Sequence, residues 1–261
     1  MLLLLSPAKT LDYDTPTPET LLQRAEPPRF VERSAELIGV LRRKTPAEIG
    51  ELMSLSPALS ELNAERYAAW STRFGRINSK PAVLAFNGDV YEGLDARTLK
   101  TADLAWAQEH IVILSGLYGA LKPLDLMQPY RLEMGTRLEN PRGKDLYAFW
   151  GDTVADYLNE RQADEKSPVI VNLASQEYFR AAHRKALKAR VIECVFEDWK
   201  GGRYKVISFF AKRARGLMAR YAIQQRAKTP RALQKFALEG YAFDEAASEG
   251  DRWVFRRRVA D

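Results

Sequence analysis

A short apolar run followed by a long irregular segment constrains this chain most. Residues 111–114 (IVIL) are typical of a buried strand and stop abruptly at residues 115–119 (SGLYG), after which the chain to residue 143 has neither helical nor strand periodicity. Long connections without regular structure are usually functional or disordered. Disorder is disfavoured by the apolar content of the segment. Its apolar residues are Leu117, Tyr118, Leu121, Leu124, Leu126, Met127, Tyr130, Leu132 and Met134. We therefore expect an ordered loop at the end of a strand, where α/β proteins place their sites.

The order of predicted elements indicates the fold class. Strands alternate with helices in the first two thirds of the 261 residues, and hairpins follow. The pattern predicts a buried strand at residues 81–86, one helix at residues 144–162 and a basic helix at residues 212–228. No Pro- or Gly-rich joint separates these parts. The sequence predicts one α/β domain (mixed α+β) over residues 1–261, with a mixed sheet wrapped by helices.

The apolar N-terminus and the single cysteine bear on the compartment. Residues 2–5 (LLLL) lack a basic segment before them and meet Ser6-Pro7 at once, so they predict a buried strand rather than a signal peptide. No apolar run approaches membrane-spanning length, and no membrane partner is expected. The single cysteine, Cys194, lies in an apolar stretch and is expected to be a core side chain. We expect a reducing, cytoplasmic setting.

Basic residues are concentrated near the C-terminus. The net charge is +6, and the 38 residues from 201 to 238 contain no Asp or Glu. Such a block is either a solvated helix face whose charges pair with distant acids or a surface that attracts a polyanion, and the polyanion interpretation is favoured. The block contains Lys205, Lys212, Arg213, Arg215, Arg220, Arg226, Lys228, Arg231 and Lys235.

Several familiar sites are excluded by the residues available. The chain has no P-loop and no dinucleotide-binding fingerprint. Two histidines and one cysteine do not make a zinc cluster, and neither His110 nor His183 has the neighbours of a Ser-His-Asp triad. The sequence therefore predicts no cofactor and no metal.

The turn at residues 116–119 has two interpretations. Two glycines around Leu117-Tyr118 would let backbone N–H groups approach a phosphate, as in a helix-hairpin-helix DNA clamp, and Lys122 would add a charge. The turn could equally pack against the core. The pattern alone leaves both open.

A second group of polar residues follows predicted strands or precedes predicted helices. Residues 6–10 (SPAKT) follow the first strand, where the backbone, the hydroxyls and Lys9 could receive an anion. Carboxylates beside these cations would serve in acid–base chemistry or would orient the cations. The further candidates for this cleft are Asp89, Asp125, Arg131, Glu133, Lys144, Asp145, Asn172, Ser175 and Glu177.

Seven motifs give the chain a recognisable pattern. They are residues 5–11 (LSPAKTL), 88–91 (GDVY), 114–119 (LSGLYG), 123–134 (PLDLMQPYRLEM), 143–147 (GKDLY), 172–175 with 177–178 (NLAS, EY) and 212–216 (KRARG). Together they resemble the YaaA family of bacterial peroxide stress proteins, and the resemblance runs essentially end to end. One departure is Asn87, where that family pattern has Lys.

The resemblance implies a cytoplasmic protein of the hydrogen peroxide response that protects DNA and helps limit free iron. It also implies an unusual topology and duplex DNA binding through a positively charged cleft and a helix-hairpin-helix-like element. By similarity that element maps to residues 116–119.

We therefore expect a monomeric DNA-binding oxidative-stress protein with double-stranded DNA as its partner. The residues expected to bind DNA are Lys9, Ser115, Gly116, Gly119, Lys122, Arg131, Lys144, Lys212, Arg213, Arg215 and Arg220. The alternative is an enzyme acting on a nucleotide or nucleic acid, with Lys9 and Arg131 on phosphate and Asp89, Glu133 or Asp145 as acid or base. A third interpretation, an iron-handling protein, is disfavoured by the scarcity of His and Cys.

Overall fold

Short apolar strands form the centre of the molecule. The computed structural model describes residues 1–258. Its strands are β1 (Leu2–Leu5), β2 (Thr10–Leu11), β3 (Lys80–Pro81), β4 (Phe86–Asn87), β5 (Ile111–Ser115), β6 (Gly119–Leu121), β7 (Leu126–Met127), β8 (Val169–Leu173), β9 (Arg190–Lys200), β10 (Arg203–Lys205), β11 (Ala242–Glu249) and β12 (Arg252–Arg257).

Eight of these strands form one mixed sheet. The order is β11-β12-β9-β8-β1-β5-β6, and β10 pairs with β9. The five strands from β12 to β5 are parallel, whereas β11, β6 and β10 run antiparallel to their neighbours. Every residue of β1, β5 and β8 is buried, so this part of the sheet is covered on both faces. The prediction of a single α/β domain with a mixed sheet is confirmed.

Two groups of helices cover the sheet. In one group α7 and α11 contact each other and β1, and in the other α10 contacts α8, α9 and β5. None of the helices formed by residues 1–258 is long and apolar enough to cross a membrane. The helices are α1 (Glu19–Leu22), α2 (Val31–Leu41), α3 (Pro46–Met53), α4 (Pro57–Ala69), α5 (Ala82–Ala85), α6 (Asp89–Leu94), α7 (Thr101–His110), α8 (Leu146–Trp150), α9 (Thr153–Glu160), α10 (Gln176–Ala182) and α11 (Ser208–Gln224), with 3-10 turns at Ala96–Thr98, Pro230–Lys235 and Leu238–Gly240.

Two predicted elements differ from the structure. The strand expected at residues 81–86 is wrong, because residues 82–85 form α5; a short buried apolar run does not distinguish a strand from a helix. The single helix expected at residues 144–162 is divided into α8 and α9. Gly151, with φ +50° and ψ −123°, ends the first of them.

The strand order creates a crevice between β1 and β8. The next parallel strand after β1 is β5 on one side, whereas the next strand after β8 is β9 on the other side. Leu5 pairs with Leu173, so the chain leaves both strands at the same level of the sheet. Open α/β sheets bind ligands outside the carboxyl ends of strands at such a point of divergence.

A close helix crossing places the basic helix α11 beside this crevice. Gly93 of α6 lies against the backbone of Arg213, and a Cβ on Gly216 would stand 1.8 Å from the carbonyl oxygen of Val90. No larger side chain fits between the two backbones. The glycine in the motif KRARG therefore holds the start of α11 against α6.

Candidate functional site

A cleft of about 340 Å³ lies at the carboxyl ends of β1 and β8. We call it the switch-point cleft. Its polar lining comes from Ser6, Lys9, Thr10, Asn87, Asp89, Glu133, Ser175, Glu177, Tyr178, Lys212 and Arg215. A larger cavity of about 570 Å³ lies between α3 and α4, but its charged lining residues are Glu51 and Glu61 alone. The switch-point cleft combines cations, carboxylates and hydroxyls at the end of the parallel sheet.

Two serines form the floor of the cleft. The Ser175 backbone N–H donates a hydrogen bond to Ser6 Oγ at 2.8 Å, and Ser6 Oγ lies 3.4 Å from Ser175 Oγ. The Tyr91 hydroxyl donates to the Ser6 carbonyl oxygen at 3.0 Å. These bonds fix the first residues after β1 and β8 relative to each other. The loop from residue 6 to residue 10 is therefore held open beside α10.

Glu133 joins two of the predicted cations. Lys9 Nζ lies 2.9 Å from one carboxylate oxygen, and Arg131 donates to the other from Nε at 3.2 Å and from Nη2 at 2.9 Å. Burial acts to raise the pKa of the Glu133 carboxyl, but the hydrogen bonds from Lys9 and Arg131 outweigh it and the pKa is lowered. Glu133 is thus ionised and orients both cations, and Arg131 reaches the cleft only through it.

Arg215 is the cation of the cleft with the least compensation. Its Nε is buried and has no hydrogen-bond partner among residues 1–258. Burial lowers the pKa of the guanidinium, while Glu193 acts on it in the opposite direction through charge alone. An arginine stays protonated nonetheless. A buried cation without a paired anion is unfavourable, so an anion entering the cleft would relieve that cost.

Lys212 lies one helical turn before Arg215 and is exposed in the same cleft. Within the described residues it forms no ion pair. The two residues point into the cleft because Gly216 brings this part of α11 against α6. They are the two cations of the cleft that form no ion pair with a carboxylate of residues 1–258.

The cleft also contains acids. Asp89 is the first residue of α6, and Glu177 Oε1 accepts a hydrogen bond from the Gly135 N–H at 2.9 Å. With Glu133, the lining has three carboxylates against the three cations Lys9, Lys212 and Arg215, so its formal charge is zero. The local attraction for an anion comes from the separation of these charges within the cleft and not from a net excess.

Two other predicted DNA-binding cations are engaged in ion pairs. Arg213 lies 2.6 Å from Glu239, and Arg220 donates to the carbonyl oxygens of Leu94 and Asp95 at 3.0 and 2.9 Å. Arg220 thereby binds the C-terminal end of α6. For these two arginines the interpretation that the basic block pairs with distant acids is correct. For Lys212 and Arg215 it is not.

The helix-hairpin-helix element expected at residues 116–119 is wrong. Strands β5 and β6 flank this turn, and both glycines are buried. Ser115 Oγ lies 2.6 Å from the Tyr130 hydroxyl and accepts the Tyr118 N–H at 2.9 Å. A Cβ on Gly116 would stand 2.2 Å from the Leu132 carbonyl oxygen. The segment after the turn folds over it, so no phosphate reaches these amides.

A short helical hairpin occurs elsewhere in the chain. Helices α3 and α4 pack together and are joined by residues 54–56. Residues 45–69 contain four glutamates and a single arginine. This hairpin therefore does not supply charge that neutralises phosphate.

The remaining candidates lie outside the cleft lining. Lys122 pairs with Glu26 at 2.9 Å, Lys144 is exposed, and Asp145 caps α8 by accepting the Ala148 N–H at 2.8 Å. Asp125 is buried and accepts the Lys122 N–H, while Asn172 is buried and accepts the Ala174 N–H. The side chains of Asp145, Asp125 and Asn172 therefore accept hydrogen bonds from nearby backbone N–H groups and stabilise local turns.

Sequence reasoning missed Tyr178 as a cleft residue. Its signal was its position three residues after Ser175, which places it on the same side of α10. Among residues 1–258 no three His, Cys, Asp or Glu side chains are placed to hold a metal ion.

Comparison with known proteins gives the chain its family. The family model of the peroxide stress protein YaaA matches residues 1–247. The chain is 67% identical over 261 residues to a UPF0246 protein of Leptothrix cholodnii, covering all of both chains. It is 65% identical to a UPF0246 protein of Bordetella avium, covering 99% of this chain and 100% of that protein, and 62% identical to one of Variovorax paradoxus, covering 99% of each. The chain therefore belongs to the YaaA family of peroxide stress proteins.

Proposed function

We propose that this protein binds duplex DNA in the peroxide stress response, with Lys212 and Arg215 contacting phosphates at the mouth of the switch-point cleft. The observation that carries the proposal is Arg215, a pocket-lining guanidinium whose buried Nε has no partner among the described residues. A phosphate oxygen supplies both the missing hydrogen-bond acceptor and the missing negative charge. Lys212 adds a second contact one turn away.

The size of the cleft determines how a duplex approaches. A cavity of about 340 Å³ takes a small group and not a double helix. The duplex therefore lies across the mouth, and one backbone phosphate reaches inward to Arg215. Lys9, which pairs with Glu133, also lines the cleft and is the third cation available to the backbone.

Titration of a labelled duplex at increasing salt tests the proposal. Arg215→Gln should lower the affinity about tenfold and reduce the magnitude of the salt slope by about one. Arg213→Gln is the matched control on the same helix. Because Arg213 is engaged with Glu239 at 2.6 Å, its replacement should leave both quantities nearly unchanged. Equal effects of the two substitutions would contradict the assignment of Arg215.

A second function is favoured by the three carboxylates of the same cleft. Asp89, Glu133 and Glu177 line the same cleft as the hydroxyls of Ser6 and Ser175, a set of groups that a site acting on a nucleotide or nucleic acid could use. Glu133 has a lowered pKa and does not serve as a proton donor. Asp89 is the better candidate for a base.

The enzymatic alternative predicts turnover. The protein is incubated with nicked, abasic and base-modified duplexes and with free nucleotides, and products are sought. Product formation that Asp89→Asn abolishes, with DNA binding retained, supports an enzyme. DNA binding without any product supports the DNA-binding function and contradicts the enzymatic alternative.

Two features bear on other roles. Burial raises the pKa of the Cys194 thiol to about 12, so it does not supply the thiolate that reacts with peroxide. Since the described residues also present no metal-ligand cluster, we assign any effect on free iron to the consequences of DNA binding and not to an iron site in the cleft.

A further inference from the structure

An exposed aromatic ring stands at the start of α11. Phe209 has 53% of its surface exposed, as does Val206 just before the helix. A single exposed apolar side chain is ordinary on a protein surface, so the meaning of Phe209 depends on the residues around it. Here the surroundings are basic, because the chain has no Asp or Glu from residue 199 to residue 238.

The ring of Phe209 lies against the ring of the next residue, Phe210. Its centroid lies 4.1 Å from that of Phe210, and the guanidinium of Arg257 lies 4.7 Å from the Phe210 centroid. Arg257 Nε in turn donates to Asp198 at 2.6 Å, and Asp198 accepts the Tyr241 hydroxyl at 2.8 Å. Phe210 is half-buried, and Arg257 and Asp198 are buried. The Phe209 ring thus contacts a well-packed neighbour while about half of its own surface stays exposed.

The position of Phe209 on the helix relates it to the cleft. Phe209 and Lys212 are three residues apart, as are Lys212 and Arg215, so each pair is adjacent on the surface of α11. The exposed ring therefore precedes the two cleft cations that form no ion pair with a carboxylate among residues 1–258. The β9–β10 hairpin beside it adds exposed Lys200 and Arg203.

An aromatic platform beside a row of cations is the arrangement that binds single-stranded nucleic acid. Bases stack on the ring while the cations follow the backbone. In a duplex the base faces are stacked on one another, so Phe209 would have no base to contact. An anionic membrane or an acidic protein would satisfy the cations without needing the flat ring.

We propose that Phe209 stacks on an unpaired base of DNA whose backbone runs along Lys212 and Arg215. This inference rests on the DNA binding proposed above and extends it to single-stranded or locally opened DNA. It assigns Phe209 a role that duplex binding does not require.

Binding of an oligothymidylate and of a blunt duplex of equal length tests the proposal. Phe209→Ala should weaken oligothymidylate binding about 5- to 100-fold, the range that stacking of one base provides, and should change duplex affinity less than about twofold. Phe209→Trp keeps a stacking surface and should restore oligothymidylate binding, which separates stacking from misfolding. Val206→Ala removes an equally exposed apolar side chain and should change neither affinity.

The outcomes separate this inference from the proposed function. If the unmodified protein binds the duplex and Phe209→Ala leaves oligothymidylate binding intact, or weakens both ligands equally, the stacking role is overturned and duplex binding stands. If the unmodified protein binds neither ligand, both proposals are overturned. Phe209-dependent binding to anionic vesicles without oligothymidylate binding also overturns the stacking role.

Discussion

Two turns follow parallel strands of the same sheet and leave it at the same edge, yet only one of them opens to solvent. After β1, the loop from residue 6 to residue 10 lines the switch-point cleft, and the side chain of Lys9 is 65% exposed. After β5, residues 115–119 are buried throughout. Both turns contain small and polar residues with a lysine nearby, so composition does not separate them.

The strands next to each turn explain why one turn is closed and the other is open. The chain after β5 returns at once as the antiparallel strand β6, and the irregular segment that follows covers the turn. The chain after β1 leaves the sheet where β8 diverges to the other side, and a crevice remains between them. A turn at the end of a strand is therefore open to a ligand only where the strand order leaves room for one.

The largest expected effect comes from filling the closed turn. Gly119 has φ +67°, and a Cβ there would stand 2.7 Å from the Trp150 ring. Gly119→Val should lower the free energy of unfolding by about 3–5 kcal/mol, from overpacking together with backbone strain. Urea denaturation followed by circular dichroism measures it.

Gly201→Ala is the matched control. Gly201 has nearly the same φ, +66°, but no atom lies within 4 Å of the added Cβ. It should cost only about 1 kcal/mol. A Gly119→Val variant as stable as Gly201→Ala would show that the turn is not closed by the core.

A pH dependence should distinguish the buried segment from the cleft. Burial raises the pKa of Asp125 to about 7, whereas the pKa of Glu133 in the cleft is lowered. Because folded Asp125 keeps its proton above the ordinary value of 3.8, its contribution to stability is complete at low pH and is lost as the pH rises through 7.

Asp125→Asn removes that titration and keeps an acceptor for the Lys122 N–H. The variant should gain roughly 3 kcal/mol relative to the unmodified protein between pH 4 and pH 8. Chemical denaturation at a series of pH values gives the difference directly. A constant difference across this range would contradict the raised pKa.

Arg215 should show opposite effects on stability and on binding. Arg215 is half-buried, and its Nε has no partner among residues 1–258. Replacing such a partly desolvated cation with an apolar side chain removes an unfavourable interaction. Arg215→Met should therefore raise the free energy of unfolding by about 1 kcal/mol while it lowers DNA affinity. Thermal unfolding and duplex titration on the same preparation measure both. A loss of stability instead would mean that Arg215 has a structural partner.

The smallest effect is expected at Lys9. Its ion pair with Glu133 involves a largely exposed ammonium, so Lys9→Ala should cost less than about 0.5 kcal/mol of stability. Arg131 still holds Glu133 in that variant. Duplex affinity should fall modestly, because one rim cation is gone. An unchanged affinity would limit the DNA contact to α11.

Local signals gave reliable parts of the fold. The side chains of Thr45 and Ser56 cap α3 and α4, and each is followed by a proline at the first helical position, a local pattern that favours a helix start. The run at residues 111–114 lies in β5, and residues 2–5 form β1, because a short apolar run is buried in the core. The run at residues 82–85 had the same local appearance and became α5, since only its neighbours decide between the two.

The residues of the candidate site were likewise predicted only in part. Lys9, Asp89, Glu133, Lys212 and Arg215 were predicted and line the cleft. Lys144 and Asp145 were predicted with them and do not line it. Their motif stands at a helix start, and the sequence does not say which end of the fold that helix faces.

The sequence by itself determined the family, the apolar strands and the basic character of α11, because motifs, apolar runs and charge are local properties of the chain. The tertiary structure decided which of the cations are free. Arg213 donates to Glu239, which is 26 residues away in the sequence, and Arg220 donates to the carbonyl oxygen of Leu94, which is 126 residues away. Arg215 lies on the same helix, but its Nε has no hydrogen-bond partner among the described residues. The physical reason is that an ion pair depends on distances between side chains, and those distances exist only after the sheet and helices have packed.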